Sequence, residues 1–369
     1  MLRAGASEGR SRQLFARYHP TWPSFVDRVC PSTRQPAQQQ VPLHGHMHVT
    51  AAVAGLEQAT TEQLPQHARP QDSPDLAHEL IQGPLVRFSS HEAGNGKRPP
   101  TAVMVHGILG NRRNMHAFAK RLSEVFPAWQ VLLVDLRCHG DSSSLHPHGP
   151  HGVEAAASDI IRLLTRLRLF PEVLLGHSFG GKVVMSMADQ FTRMGRSLPR
   201  PVQVWVLDAL PGEARAGYEK RQDHPQDLIQ HLLRLPMPLT NRSHLQQSLS
   251  EGGFSPSIQQ WTATNLRPTN GNRRQLNWTF NLNGISEMYE DYEETSLWPF
   301  LQNPSPGYRV SFVRAEKSSY KWGGQDEERI RALGHSVFML RNAGGVQQNT
   351  ASGTGPILYS SKEWKRSRD

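Results

Sequence analysis

The sequence predicts an α/β fold in which a mostly parallel sheet is sandwiched by helices and carries a helical insertion. Two observations predict it: short apolar runs alternate with amphipathic segments from residue 76 onward, and this alternation is interrupted over residues 211–306. Short buried strands that alternate with helices are typical of a parallel sheet covered on both faces. Ligands bind such sheets at the carboxyl ends of the strands.

The apolar runs place the strands, because each is too short for a helix and ends in turn-forming residues. In chain order they predict strands over 84–88, 101–105, 129–136, 173–175, 202–207, 308–314 and 337–340. Between the strands, apolar residues recur at helical spacing, which predicts amphipathic helices. These helices span 115–125, 157–167, 182–194 and a shorter segment through 327–330. The predicted core therefore comprises residues 76–210 and 307–345.

Residues 211–306 predict an inserted cap that is mainly helical. Helical pieces are expected over 226–235, around Leu245 and Leu249, and over 284–294, with a short strand over 278–282. Ser255 and Pro256 form an N-cap followed by proline at the first helical position. Because the insertion falls between two sheet strands, we expect it to cover the strand ends and exclude water from them. The alternative is a packing insertion with no gating role.

Composition permits one large domain or two small ones. The chain has 369 residues, 37% of them hydrophobic, and its two cysteines, Cys30 and Cys138, lie far apart. A core of this size is stable without disulfides, and two isolated cysteines suggest neither a disulfide framework nor a thiolate metal site. No apolar run approaches the ~18 residues of a transmembrane helix. We expect no cofactor, no metal and no transmembrane segment.

The net charge of +9 raises the question of whether the protein binds nucleic acid. The basic residues, however, are scattered through the N-terminal arm, the helices and the last few residues, and do not form one stripe interleaved with aromatic residues. This pattern favours a solvated basic surface, and we expect no nucleic-acid partner.

Residues 1–73 predict a disordered basic leader. Arginines are frequent there, whereas only Glu8 and Asp27 are acidic before Glu57, and no long apolar stretch occurs. Such a composition fits a chloroplast or mitochondrial transit peptide better than a secretory signal. A plain disordered leader on a cytoplasmic protein is the alternative. Three alternating histidines would hold a metal only in a strand, which the low complexity disfavours: His44, His46 and His48.

Residues with catalytic potential follow the predicted strands. The pattern G-x-S-x-G places Gly176 and Gly180 around Ser178 at a strand-to-helix turn, where bulky side chains would block the strand from approaching the helix. The Ser178 hydroxyl is then exposed above the sheet, and the amide of Phe179 points to where an oxyanion would form. Taken alone this motif is weak, because many matches are ordinary loops.

In their order along the chain, the motifs resemble those of the α/β-hydrolase superfamily. More closely they are similar to the subfamily of abhydrolase-domain-containing protein eleven, with its bacterial short-chain esterase and plant relatives. The resemblance covers residues 76–344. It is carried by T-A-V-M-V-H-G-I-L-G, L-L-V-D-L-R-C-H-G-D-S, L-L-G-H-S-F-G-G-K, V-L-D-A-L-P-G and, in the cap, T-N-L-R-P-T-N-G and I-S-E-M-Y-E-D-Y-E-E-T.

This resemblance implies a serine esterase or lipase-like enzyme that acts on carboxylic esters, thioesters or lipid acyl groups through an acyl-enzyme. It implies Ser178 as the nucleophile, the amides of Ile108 and Phe179 as oxyanion donors, and Asp208 as the acid. The partner is then a small-molecule acyl ester. The residues that complete the motifs are His106, Gly107, Gly176 and Gly180.

The acid has two alternatives. Some members of the family have been assigned an acid within the cap, where this chain has Asn281 and Asn283. An amide cannot stabilise an imidazolium as a carboxylate does, which favours Asp208. The other alternative is that Asp208 merely caps a loop or helix at the strand end.

The sequence departs from the family at the general base. In the family the last strand ends N-A-G-H-W-x-H, and the histidine after the glycine is the base, whereas here Gly344 is followed by Gly345. The polar tail over 346–369 shows no apolar periodicity, so the closing helix of the family is missing as well. We interpret this abrupt switch as a splice product or an exon-boundary error.

Loss of a triad histidine costs on the order of 10⁶ in turnover, so the chain is expected to be impaired. No other histidine is expected to replace the base, although three lie on the correct rim of the sheet: His146, His148 and His151. One alternative function is a catalytically silent protein that binds an acyl or other small molecule. Another is an interaction protein that uses the basic arm and tail.

Overall fold

The structure is a computed structural model that describes residues 75–86, 98–145, 148–194, 203–214, 223–269, 272–304, 307–316, 322 and 324–340. The expected leader, residues 1–73, lies outside these ranges. So do Gly345 and the tail over 346–369, where the closing helix is expected to be missing. Those expectations stay predictions.

A seven-stranded sheet forms the centre of the fold. The strands, in chain order, are β1 (His78–Gln82), β2 (Thr101–Val105), β3 (Gln130–Val134), β4 (Pro171–His177), β5 (Gln203–Leu207), β6 (Leu266–Thr269), β7 (Asn272–Trp278), β8 (Arg309–Ala315) and β9 (Ser336–Leu340). All but β6 and β7 belong to this sheet, in the spatial order β1-β3-β2-β4-β5-β8-β9. Strand β1 runs antiparallel to β3, and every other pair is parallel. Strands β2 and β3 are wholly buried, as expected for the middle of a covered parallel sheet.

Helices cover the sheet and fill the insertion. In the described ranges they are α1 (Arg113–Val125), α2 (Val153–Leu167), α3 (Phe179–Arg193), α4 (Pro225–Leu233), α5 (Arg242–Glu251), α6 (Pro256–Ala263), α7 (Leu282–Glu294), α8 (Trp298–Gln302) and α9 (Gly324–Ala332). None of the helices in this part of the chain combines the length and apolarity needed to cross a membrane. The α/β fold predicted from the sequence is confirmed.

Helix α3 is buried almost all round, and its first residue follows Ser178. Twelve of its fifteen residues are buried, because the helix packs on β4 and β5 and against α2 and α7. A helix enclosed on every side is held firmly in place by its packing. The turn that precedes α3 therefore has a rigid support on its helical side.

The outer strand expected over 84–88 is wrong. The edge strand is β1, His78–Gln82, whose side chains alternate between exposed and half-buried. Leu85 instead lies in a turn, and its N–H donates to the Pro127 carbonyl at 2.9 Å. The sequence H-E-L-I-Q contains no apolar run because one side of an edge strand faces water.

The short strand expected over 278–282 is also wrong. Strand β7 ends at Trp278 and pairs with β6 in an antiparallel hairpin. Leu282 begins helix α7, and the Asn281 side chain caps this helix by accepting from the Gly284 N–H at 3.2 Å. The polar N-R-R-Q-L-N-W run gave no strand signal. The insertion between β5 and β8 therefore contains this hairpin as well as helices α4 to α8.

The insertion contacts the core beside Ser178. The Tyr292 ring of α7 lies 5.7 Å from the ring of Phe179, the first residue of α3. Arg267 of β6 forms an ion pair at 3.3 Å with Asp141, which lies in the turn after β3. These contacts bring the insertion to the carboxyl ends of the strands.

Candidate active site

Ser178 lies at the junction between β4 and α3 in a strained backbone conformation. Its φ is 51° and its ψ is −118°, values that are unfavourable for any residue with a side chain. The Ser178 N–H donates to the Leu207 carbonyl of the neighbouring strand at 2.8 Å. The turn is thus held by the sheet on one side and by the buried helix on the other.

Two flanking glycines are required because backbone atoms approach them closely. A Cβ on Gly176 would lie 2.0 Å from the Gly180 carbonyl oxygen. A Cβ on Gly180 would lie 2.5 Å from the Val105 oxygen and 2.6 Å from the His106 oxygen. Neither approach leaves room for a methyl group, and backbone cannot swing aside as a side chain can. The G-x-S-x-G spacing therefore follows from the packing of β2, β4 and α3.

The H-G-I-L-G loop after β2 lies directly beside Ser178. A Cβ on Gly107 would be 3.3 Å from the Ser178 Cβ and 3.0 Å from the His177 Nδ1. In the described part of the chain, the amides of Ile108 and Phe179 donate to no protein acceptor. Unpaired N–H groups in the segments next to a serine are what a developing oxyanion needs.

Asp208 leaves the sheet next to Ser178. His177 pairs with Leu207 in the register of β4 and β5, so the serine and the aspartate follow adjacent strands at the same level. The Asp208 φ is 51°, and its Oδ1 accepts from the Ala315 N–H at 3.2 Å. This bond matches the loop-capping alternative and also fixes the carboxylate near the end of β8. The assignment of Asp208 as the acid stays a prediction.

The last strand ends beside the same carboxylate. Ala315, whose amide binds Asp208, pairs with Leu340 at the end of β9. Leu340 therefore ends β9 on the edge of the sheet where Asp208 lies. Gly345, where the family has its base, is five positions further along and outside the described residues.

His106 and His139 are buried, and both are fixed in their neutral form. The Nε2 of His106 accepts from the Leu136 N–H at 3.1 Å, and the Nε2 of His139 accepts from the Leu109 N–H at 3.0 Å. Because an amide can only donate, the proton of each ring must be on Nδ1, which donates to a carbonyl at 2.8 Å in both residues. Burial lowers the pKa of His106 and lowers that of His139 to about 3.

We expect this histidine pair to make the protein acid-sensitive. An unfolded histidine titrates near pH ~6.5, so below that pH the unfolded chain binds protons that the folded protein does not. Stability should then fall as the pH falls, by up to about 1.4 kcal/mol per pH unit for each such histidine. Urea unfolding between pH 6.5 and pH 5 measures this slope. His139→Gln should reduce it, whereas His116→Gln, at a half-exposed position, should not; equal stability at both pH values would contradict the expectation.

Among the described residues, no other histidine side chain hydrogen-bonds to the Ser178 hydroxyl. In the described residues, the Ser178 Oγ has no hydrogen-bond partner. Burial, together with the neighbouring His106, lowers the pKa of His177 to about 4. His151 is buried with its Nδ1 3.6 Å from the Cys138 thiol. His335 binds the Leu301 carbonyl and precedes β9, at the opposite end of the strand. His148 is exposed, and His146 lies outside the described residues.

Lys182 is a buried cation that sequence reasoning missed. Its Nζ donates to the carbonyls of Gly212, Tyr292 and Thr295 at 2.7, 2.6 and 2.8 Å. Only the ammonium form has three N–H donors, so this geometry favours the charged amine, although burial lowers the pKa of Lys182 to about 7. A lysine within the otherwise apolar start of a buried helix was the available signal. The Lys182 side chain links α3 to the end of α7.

A polar cavity of about 120 Å³ lies between the start of α1 and the insertion. Neither Ser178 nor Asp208 lines it, so it is not the space above the serine. Its lining residues are Asn111, Arg112, Arg113, Asn114, Asp135, Gly140, Thr264, Asn265, Arg267 and Thr279.

A mostly parallel sheet with a glycine-flanked serine at a strand-to-helix turn defines the class of α/β hydrolases. The chain belongs to the alpha/beta hydrolase family, whose model matches residues 102–346. The family predicted from the motifs is thus confirmed.

Among its relatives, the sn-1-specific diacylglycerol lipase ABHD11 of Danio rerio is 30% identical over 200 residues, which are 54% of this chain and 58% of the relative. The chain thus matches less than two thirds of that protein. The protein of the same name from Xenopus laevis is 28% identical over 276 residues, 74% of this chain and 78% of the relative. A marine microorganism esterase of known structure superposes with a TM-score of 0.56 at 18% identity, covering 73% of this chain and 92% of the esterase. This last likeness shows the fold alone.

Proposed function

We propose that the chain carries a serine hydrolase site for carboxylic esters, in which Ser178 is the nucleophile and the acyl group is transferred to it. The observation that carries the proposal is the strained turn that holds Ser178 beside the unpaired amides of Ile108 and Phe179. A strained nucleophile next to two donors is the arrangement that acyl transfer requires.

The proposed reaction has two halves. In the first, the Ser178 Oγ attacks the carbonyl carbon, its proton passes to a base, and the carbonyl oxygen takes up negative charge between the two amides. The leaving alcohol or thiol receives the proton as the carbonyl reforms, which leaves an acyl-serine. In the second half, water attacks the acyl-serine by the same route and releases the acid. Asp208 would orient the imidazole of the base and stabilise its charge.

We propose that this chain is impaired in that reaction because Gly345 replaces the histidine. Without a base the serine hydroxyl keeps its proton and is a weak nucleophile. The oxyanion donors and the binding surface remain, and they retain part of the rate enhancement. The described histidines offer no substitute, since none hydrogen-bonds to the Ser178 Oγ.

We infer that the substrates are lipid or short-chain acyl esters. The relatives named as diacylglycerol lipases support a glycerolipid acyl ester.

An activity-based fluorophosphonate probe tests the site, because it reacts with activated serines and leaves a covalent phosphonyl group on the oxygen. We expect slow labelling that is abolished by Ser178→Ala. Ser186→Ala, at a buried serine on the same helix, is the matched control and should label as the wild-type chain does. Labelling at the rate of an intact homologue would contradict the impairment, and labelling that survives Ser178→Ala would contradict the site.

The second candidate function is a silent binding protein for an acyl ligand, which the glycine at position 345 specifically favours. It predicts measurable affinity for a long-chain acyl ester or fatty acid with no turnover. Isothermal titration with a non-hydrolysable acyl ether would detect this binding. Absence of binding together with Ser178-dependent turnover would exclude it.

A further inference from the structure

The backbone of the H-G-I-L-G loop is held from two sides at Leu109. Its N–H donates to the Nε2 of His139 at 3.0 Å, and its carbonyl accepts from the Nδ2 of Asn265 at 3.3 Å. Leu109 has a φ of 58°, which is unfavourable for a leucine and needs such support. Both partner side chains are buried, with exposed fractions of 0% for His139 and 1% for Asn265.

Asn265 is itself firmly positioned within the insertion. Its Oδ1 accepts from the Asn111 side chain at 2.9 Å, and its N–H donates to the Thr262 carbonyl at 3.1 Å. Its own carbonyl accepts from the N–H and from the hydroxyl of Thr279 at 2.9 and 3.2 Å. The asparagine is therefore fixed between α6 and β6, and its side-chain amide donates a hydrogen bond to the H-G-I-L-G loop of the core.

The two bonds fix the peptide units on both sides of Leu109. The N–H of Ile108 belongs to the preceding peptide unit, whose Gly107 carbonyl accepts from the His106 Nδ1 at 2.8 Å and from the Gly110 N–H at 3.0 Å. The bonds at Leu109 hold the loop on the other side of Ile108. The Ile108 N–H has no protein acceptor in the described ranges and lies in the loop beside Ser178. Fixed donors are effective for an oxyanion because they need no reorganisation when charge develops.

We propose that Asn265, which belongs to the insertion, is a positioning residue for the oxyanion site in the core. Asn265 binds the Leu109 carbonyl and His139 binds the Leu109 amide. Together they hold the loop so that the Ile108 amide keeps its direction. This inference rests on the proposed function, since it assigns the insertion a part in the same site. It also explains how the insertion can influence acyl transfer without contributing a group that touches the substrate.

Asn265→Asp is the sharpest variant, because it keeps the size of the side chain and the acceptor for Asn111 but removes the donor to Leu109. Thr262→Val is the matched control: Thr262 is also buried in α6, and its hydroxyl has no partner among the described residues. The reaction measured is phosphonylation of Ser178 by a fluorophosphonate, in which a phosphorus–oxygen bond forms and fluoride leaves.

We expect Asn265→Asp to lower the maximal rate constant of phosphonylation by about 10–100-fold, with the dissociation constant of the probe unchanged. Thr262→Val should change neither quantity. Hydrogen exchange supplies an independent readout, because the Leu109 and Gly110 amides should lose protection in Asn265→Asp and keep it in Thr262→Val. A merely structural role would lower the thermal unfolding temperature without lowering the rate constant of phosphonylation selectively over the affinity for the probe.

The two ideas fail in different ways. If the wild-type chain shows no Ser178-dependent labelling, the proposed function fails, while hydrogen exchange still tests the positioning of the loop. If Asn265→Asp labels as fast as the wild-type chain and keeps its amide protection, the role of Asn265 is overturned and the proposed function stands.

Discussion

Replacing Gly345 by histidine is expected to raise ester hydrolysis by about 10²–10⁴-fold, the usual contribution of a positioned general base and a part of the factor on the order of 10⁶ that a complete triad supplies. The reason is the register of the sheet. Strand β9 ends next to Ala315, whose amide holds the Asp208 carboxylate, and Asp208 and Ser178 follow adjacent strands. Strand β9 therefore ends on the same edge of the sheet as the predicted acid and the predicted nucleophile. We expect a histidine at position 345, five residues after this end, to reach the predicted acid.

The measurement is the release of p-nitrophenol from a butyrate ester, with a diacylglycerol emulsion as the second substrate. Ser178→Ala in the Gly345→His background is the control, and it should return the rate to that of the wild-type chain. Gly345→Ala should leave the rate low. Added imidazole should also accelerate the wild-type chain, because it supplies a base without constraining the backbone after β9.

Two results would contradict this expectation. A wild-type chain that already turns over at the rate of an intact relative would mean that another group acts as the base. An unchanged low rate in Gly345→His, together with no response to imidazole, would mean that the Ser178 site is not catalytic.

Replacing Lys182 by methionine is expected to destabilise the folded protein by about 3–5 kcal/mol, because each acceptor that loses its donor away from water costs about 1–3 kcal/mol. Methionine retains the length and most of the volume of the side chain. It leaves three carbonyls without their donor, a buried one on Tyr292 and part-buried ones on Gly212 and Thr295. The Tyr292 carbonyl belongs to the last turn of α7, where a cation also compensates the helix dipole.

Denaturant unfolding, followed by circular dichroism, measures the change. Lys120→Met is the matched control, because Lys120 is exposed on helix α1, and it should change stability by no more than about 0.5 kcal/mol. Lys182→Arg should lie between the two, since the larger guanidinium keeps the charge but does not fit three converging carbonyls. A change below about 1 kcal/mol in Lys182→Met would show that α7 does not depend on this cation.

The elements that the sequence predicted well are those whose environment is uniform. Strands such as β2 and β3 are buried on both faces, so their sequences are continuous apolar runs. The edge strand β1 and the β6–β7 hairpin have polar sequences because part of each is exposed to water. Strand propensity alone therefore did not reveal them. The N-cap at Ser255 was predictable because its bond to the Ile258 amide is local.

The serine turn was readable from the sequence for a similar reason. Its two glycines lie within five residues and so leave a visible pattern, although Gly180 makes room for the distant Val105 and His106 carbonyls. Asp208 was placed by its position after a strand, since parallel strands end at the same edge.

Lys182 and Asn265 could not be assigned in this way. The Tyr292 carbonyl that binds Lys182 is 110 residues away in sequence, and the Leu109 carbonyl that binds Asn265 is 156 residues away. A lysine in a buried helix or an asparagine before a strand gives no sign of which distant backbone group it meets.

By itself, then, the sequence determined the class of fold, the serine turn with its two glycines and the absence of histidine at position 345, because each depends on residue type or on neighbours in the chain. Only the tertiary structure decided which backbone groups face the serine and how the insertion is anchored to the core. Those properties arise from contacts between segments far apart in the chain, and their energies exist only once the sheet and the insertion have packed together.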